Sequence, residues 1–273
     1  MSGPASLSRD AAELAAVQPL RPVDRSRWRG LVLPAVAIAL WALLSWLDVV
    51  NSALLVSPQK VLATAADQIL SGRLWRALGA SLAREATGFL IGTASGLVLG
   101  ALLGLWPLFD RIVGPSFNTF KQISLFAWIP LISVWFGLGD VAKVVFLSLA
   151  ALVPVVVNTC DGIRTVPPAL LEVARVYGFT RWQTLAQVVL PAALPAIFTG
   201  VYLALIYSWL ATIGAEYLLV AGKGIGNTLI EGSEHFQMDL VIFGMFVIGL
   251  VGWLMNASAR ALERRLARWT GRA

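Results

Sequence analysis

The feature that most constrains this chain is a run of 34 residues without a charged side chain, from Trp182 to Ala215. A helix needs about 20 apolar residues to cross a bilayer, and other apolar runs of this kind occur along the sequence. Hydrophobic residues make up 58% of the 273 positions and charged residues 13%, whereas a soluble domain of this size carries about 25% charge. The sequence therefore predicts an all-α, polytopic transmembrane helix bundle.

About six spans are expected from the apolar runs. They are placed at residues 30–47, 86–109, 122–139, 144–160, 195–215 and 240–259. Together these spans predict a membrane domain over residues 30–259, between a polar tail at 1–29 and a basic tail at 260–273. Ser57-Pro58 predicts the start of a further amphipathic helix, which would run to about Leu70 and is too polar to span a bilayer.

Lys and Arg residues are distributed unevenly around the predicted spans. Six spans place both tails, the loop at 110–121 and the loop at 161–191 on one side, and these segments hold 15 of the 21 Lys and Arg residues. Such residues gather in cytoplasmic loops, so that side, with both termini, is predicted to be cytoplasmic. The same rule accounts for the net charge of +6 without nucleic acid as a partner.

The loop at 161–191 predicts a structured pair of helices rather than an irregular connection. Its signals are Pro167-Pro168 at a helix start, Gly178 as a left-handed C-terminal residue, and a capping box of Thr180 with Gln183. The first helix would carry an apolar face, because Leu170, Val173, Ala174 and Tyr177 recur at helical spacing. The second helix is expected to end near Leu190-Pro191.

Five glycines recur at every fourth residue within the predicted second span. They are Gly88, Gly92, Gly96, Gly100 and Gly104. This spacing predicts a groove along one side of the helix, where another helix can approach closely. Polar residues in the outer half of the predicted fifth span, namely Ser208, Thr212 and Glu216, are candidates for a substrate path by their position alone.

Several kinds of catalytic and cofactor site are missing from the sequence. It contains no G-x-x-x-x-G-K-[ST], no H-E-x-x-H and no G-x-S-x-G motif, and it has one cysteine and one histidine. We therefore expect no metal, no bound cofactor and no enzymatic activity in this chain. The predicted spans also lack Asp, Glu and His, which disfavours transport driven by protons.

Two stretches resemble a known family. Glu172, Val173 and Ala174 are followed by Gly178 and, twelve residues later, by Leu190-Pro191. This pattern resembles the EAA loop of permease subunits of bacterial ABC importers, with Val173 and Val188 in place of the family's Ala and Ile. The run AWIPL at 127–131, followed by WFG at 135–137, is similar to the sulfonate, taurine and nitrate branch.

The resemblance implies a role and a set of partners. The chain would form the path for a small anionic solute in the bacterial inner membrane, as a homodimer with two ATPase subunits and an extracytoplasmic solute-binding protein. ATP would be used by the partner subunit, and coupling to it would fall on Glu172, Val173, Ala174, Gly178, Leu190 and Pro191. The alternative is a secondary transporter or channel. A membrane-bound enzyme or assembly protein is a third class, for which no nucleophile–base set is present.

Overall fold

The computed structural model describes residues 29–47, 56–219 and 222–267. In these ranges the chain is almost entirely helical and contains no strand, which confirms the prediction of an all-α fold. Most of the predicted polar tail, residues 1–28, lies outside the described residues. The predicted basic tail is helical as far as Ala267, and residues 268–273 lie outside the description.

The helices follow one another with short connections. In order they are α1 (Arg29–Trp46), α2 (Pro58–Leu70), α3 (Arg73–Leu105), α4 (Pro107–Phe120), α5 (Ile129–Phe136), α6 (Asp140–Arg164), α7 (Pro168–Val176), α8 (Arg181–Thr184), α9 (Leu190–Leu218), α10 (Ile225–Glu234) and α11 (Met238–Ala267). A 3₁₀ turn at Leu125–Trp128 precedes α5, and a π turn at Leu185–Val189 joins α8 to α9. The predicted amphipathic helix is α2, and its N-cap is Ser57, whose side chain accepts a hydrogen bond from the Lys60 N–H.

Among the described residues, four helical stretches are long and apolar enough to cross a membrane, where the sequence predicted about six. They are Arg73–Leu105, Asp140–Arg164, Arg181–Leu218 and Met238–Ala261. The predicted third span, residues 122–139, is not one continuous helix, because it contains the 3₁₀ turn and the eight-residue helix α5. A fifth span results only if Pro107–Phe120 and Leu125–Phe136, bent by 94°, count as one. The apolar stretch Val32–Trp46 in α1 is shorter than the others, and about 20 residues are needed to cross a bilayer.

The described residues fall into two units, one that contains α1 and one that contains residues 56–219 and 222–267. In the second unit, α6 lies at the centre and packs on α3 and α9. Its buried side chains include Phe146, Leu147 and Val155. Because α6 has 25 residues, it is about 37 Å long at 1.5 Å per residue, which separates its two ends by the thickness of a bilayer core.

The five predicted glycines of α3, from Gly88 to Gly104, face α6. A Cβ placed on Gly88 would lie 2.5 Å from Leu147 Cβ, and one on Gly100 would lie 2.8 Å from Thr159 Cβ. At Gly104 the nearest atoms belong to the Ile163 side chain, at 3.0 Å or more. Carbon atoms pack best at about 3.5–4.0 Å, so no side chain fits at these positions while the helices keep their separation.

Candidate functional site

Residues 168–189 project from one end of α6 and form what we call the exposed segment. Its first helix, α7, begins directly after Pro167, where the missing N–H of a proline has no helical partner to lose. Gly178 follows α7 with φ at +69°, a conformation that glycine adopts without strain. The predicted capping box is confirmed, since Thr180 N donates to Gln183 Oε1 at 2.8 Å and Gln183 N donates to Thr180 Oγ1 at 3.3 Å.

Large apolar side chains of the exposed segment are not covered by the residues that the structure describes. Val176, Tyr177 and Trp182 are 76–86% exposed, and Val173 is about half exposed, whereas Ala174 is buried. Glu172 is also exposed and makes no ion pair with any described residue. A contiguous apolar surface of this kind marks a site of interaction with another molecule.

The second helix of the exposed segment does not end near Leu190-Pro191, and that prediction was wrong. It continues through the π turn into α9, so a single helical stretch extends from Arg181 to Leu218. The Leu190 N–H donates to the Leu185 carbonyl, five residues back. This wider turn accommodates Pro191, which lacks an N–H and would clash with the preceding turn of a regular α-helix.

The end of α6 is tied to the neighbouring helices just before the exposed segment. Arg164, in the last turn of α6, donates to the Leu103 carbonyl of α3 at 2.9 Å and pairs with Asp110 of α4 at 2.6 Å. Backbone carbonyls near the end of a helix have no intrahelical partner, and the guanidinium supplies one for Leu103. Arg164 therefore joins the end of α6 to both α3 and α4, next to the exposed segment.

A buried charge cluster occupies the opposite end of the same helices. It consists of Ser81, Arg84, Glu85, Lys143, Ser208, Thr212 and Glu216, each at most 7% exposed. Arg84 is its centre: it binds Glu216, donates to the Lys223 carbonyl at 2.6 Å, and pairs at 2.8 Å with Asp140 at the rim. A buried charge is tolerated only when it is paired and hydrogen-bonded, and Arg84 satisfies both conditions.

The two buried carboxylates each have several partners. Glu216 accepts from Ser81 Oγ at 2.7 Å and from the Gly226 N–H at 2.8 Å, in addition to Arg84. Glu85 accepts from Ser208 Oγ at 2.6 Å and from Thr212 Oγ1 at 2.7 Å. The three candidates for a substrate path, all in α9, therefore bind residues of α3, and their role in a path stays a prediction.

The cluster overturns the expectation that the spans lack buried charge. The sequence placed the second span after Glu85, but α3 begins at Arg73 and includes both Arg84 and Glu85. Their partners in α9 are more than 120 residues away. The only sequence signal for this pairing is that opposite charges occur near the ends of three apolar runs. Charged residues buried inside a membrane bundle are candidates for function.

Comparison with known proteins identifies the family. Residues 96–272 match the family described as "Binding-protein-dependent transport system inner membrane component", which is well over half of the chain. The chain belongs to this family. It is therefore a multi-pass component of the inner membrane, and the resemblance of the chain to permeases of bacterial ABC importers is confirmed.

Two curated relatives cover almost the whole chain. The chain is 37% identical over 265 residues to the putative aliphatic sulfonates transport permease protein SsuC of Bacillus subtilis, which covers 97% of this chain and 95% of the relative. It is 31% identical over 255 residues to the taurine transport system permease protein TauC of Escherichia coli, covering 92% of each chain. These matches confirm the sulfonate and taurine branch.

A solved structure of similar fold is the MetNI methionine ABC transporter in an inward-facing conformation. The similarity has a TM-score of 0.61 and covers 73% of this chain and 96% of the other, at 22% sequence identity. At this identity the match supports the fold and nothing more specific.

Proposed function

We propose that this chain is the permease subunit of an ATP-driven ABC importer and forms the translocation path for a small anionic solute such as an aliphatic sulfonate, taurine or nitrate. The names of the two curated relatives support the sulfonate group as the chemistry of the solute. The sequence has no phosphate-binding loop of the Walker type, which supports hydrolysis of ATP on a separate subunit.

The observation that carries this proposal is the apolar surface of the exposed segment. Val176, Tyr177 and Trp182 are among its most exposed side chains, and burying one such side chain contributes about 1.5–3 kcal/mol. A groove on the ATPase subunit supplies this burial. Two copies of the permease, two ATPase subunits and an extracytoplasmic binding protein then complete the transporter, with both termini of the permease in the cytoplasm.

Transport is driven because the ATPase subunits bind the two exposed segments with different free energies in the inward-facing and outward-facing states. When ATP binding brings the ATPase subunits together, the exposed segments move with them, and the attached helices change their tilt. The equilibrium between inward-facing and outward-facing bundles shifts by the difference in binding free energy between the two states. Glu172 at the surface of α7 and Gly178 at its end keep the segment in register with the ATPase groove.

The test uses Trp182→Ala, with Trp75→Ala as the matched control. Both tryptophans are well exposed, but Trp75 lies in α3 near the opposite end of the bundle. Truncating a central interface tryptophan costs about 2 kcal/mol or more, so we expect about a thirtyfold weaker association with the ATPase for Trp182→Ala and slower sulfonate uptake in proteoliposomes. Equal association of the two variants with the ATPase would overturn the proposal.

A secondary transporter is the second candidate, and the buried charge cluster is the observation that favours it, because proton-driven carriers use buried carboxylates. The two candidates differ in their energy source. We expect sulfonate uptake into proteoliposomes to require ATP on the ATPase side and to be unaffected by a protonophore. Uptake driven by a proton gradient in the absence of ATP would instead support the secondary transporter.

A further inference from the structure

A polar cleft opens at the end of the bundle opposite the exposed segment. Its walls come from α2, the start of α3, the loop at 222–224, α10 and the start of α11, and its volume is about 690 Å³. This volume lies within the range of about 300–1,000 Å³ that is typical of small-molecule sites. The comparisons name no ligand for this cleft, and the exposed segment and the buried charge cluster lie outside it.

An amide side chain also lines the cleft. Gln68 of α2 lines the cleft and is 8% exposed. Its side chain forms no hydrogen bond with any residue that the structure describes. Because Gln68 lines the cleft, a molecule bound there can reach its amide. The amide offers two N–H donors and one carbonyl acceptor to a bound molecule.

Most of the charges around the cleft neutralise one another. Arg73 pairs with Asp67, and Asp239 accepts from Thr64 and lies 3.9 Å from Lys60. Two cations and one carboxylate then remain without an ion pair in the described part of the chain, and these are Arg76, Lys223 and Glu231. The remaining charge is positive, which suits a small anion.

The position of Lys223 is set by the buried charge cluster. Its backbone carbonyl accepts a hydrogen bond from Arg84 at 2.6 Å. On one side of it, Gly222 has φ at +102°, a value that a residue with a Cβ adopts only with strain. On the other side, Gly224 packs against the Glu216 side chain, where a Cβ would overlap the carboxylate. The lysine therefore projects from a fixed loop, which reduces the entropy lost when its ammonium binds an anion.

We propose that this cleft is a binding site on the permease itself for the sulfonate group of the solute. Lys223 and Arg76 bind the sulfonate oxygens through charge-assisted hydrogen bonds, and the Gln68 amide donates to a third oxygen. Glu231 faces the same cleft and binds the ammonium group when the solute carries one. The inference rests on the proposed function, because it takes a sulfonate as the solute.

The experiment measures sulfonate binding to the purified permease–ATPase complex in nanodiscs, without the binding protein. The probes are ethanesulfonate, which lacks an amino group, and taurine. The variants are Lys223→Gln and Gln68→Leu, with Arg111→Gln as control, because Arg111 lies exposed on α4 outside the cleft and its replacement removes the same charge. We expect the Kd of ethanesulfonate to rise about tenfold for Lys223→Gln, since one charge-assisted hydrogen bond is lost.

The expected pattern is weaker binding in both cleft variants and wild-type binding in Arg111→Gln. Glu231→Gln should weaken the binding of taurine and leave that of ethanesulfonate unchanged. Equal Kd values for the wild type and Lys223→Gln would overturn the cleft site, as would a wild-type complex that binds neither probe. Uptake with the binding protein present is measured in parallel: ATP-dependent uptake by a complex without cleft binding would keep the importer and reject the site. A lack of uptake would reject the importer itself.

Discussion

The contact between α3 and α6 makes a quantitative prediction for one methyl group. A Cβ at Gly96 would lie 2.8 Å from Val155 Cβ and 3.0 Å from the Leu152 carbonyl oxygen. Since carbon atoms pack best at about 3.5–4.0 Å, Gly96→Ala must push the helices apart by about 0.7–1 Å. Overpacking of this kind costs about 1–3 kcal/mol. The contact with the Leu152 carbonyl oxygen cannot be relieved by a change of side-chain rotamer, because it involves the backbone.

Gly79 in the same helix is the matched control. A Cβ at Gly79 meets no atom within 4 Å, so Gly79→Ala changes only the intrinsic helix preference, which favours alanine by about 0.5–1 kcal/mol. Both substitutions include this gain. The difference between the two variants is therefore the overpacking alone, about 1–3 kcal/mol in the free energy of unfolding.

The assay is reversible unfolding of the detergent-solubilised chain, followed by helical circular dichroism. Gly96→Ala should unfold more easily than the wild type, and Gly79→Ala should be at least as stable as the wild type. Gly104→Ala should fall between them, because it meets only the Ile163 side chain, at 3.0–3.2 Å. Indistinguishable unfolding of Gly79→Ala and Gly96→Ala would refute the argument that close helix approach sets the glycine spacing.

Two further predictions concern the buried charge cluster and the exposed segment. Arg84→Met leaves the Glu216 carboxylate buried without its cation and should lower the free energy of unfolding by about 3–5 kcal/mol. The double variant Arg84→Met with Glu216→Met should lose less than Arg84→Met alone, because no charge is left unpaired. A loss in the double variant equal to the sum of the two single losses would contradict the pairing. Thr180→Ala removes the N-cap of α8 and should cost about 1 kcal/mol locally. Hydrogen exchange at the Gln183 amide should become faster, with exchange in the middle of α9 as the unchanged reference; an unaltered Gln183 rate would show that the capping box is not formed.

Local signals in the sequence predicted local structure well. Gly178, Thr180 and Gln183 act within a few residues of one another, so their turn and cap could be recognised from spacing alone. The sequence also predicted α2 from Ser57-Pro58. It failed at Pro191, because a proline after an apolar run indicates a helix end, and the π turn that accommodates it has no sequence signature of its own.

The charge cluster could not be predicted because its stability depends on contacts between distant residues. Arg84 and Glu85 interrupt an apolar run and therefore indicated the end of a span. They are buried because Glu216, Ser208 and Thr212 meet them from another helix, and pairing at such separation follows from packing alone. The count of about six spans is not confirmed for a related reason, since α4 and α5 together are apolar enough to count as a span but change direction by 94° between them.

The unbroken stretch from Arg181 to Leu218 has a mechanical consequence. With 38 residues, it is about 57 Å long at 1.5 Å per residue, and it carries Trp182 at one end and Glu216 at the other. A rigid rod of this length that tilts by about 5° displaces its far end by about 5 Å. If the stretch moves as one rod, a small movement imposed at Trp182 reaches Glu216, which binds Arg84, and Arg84 in turn holds the Lys223 carbonyl.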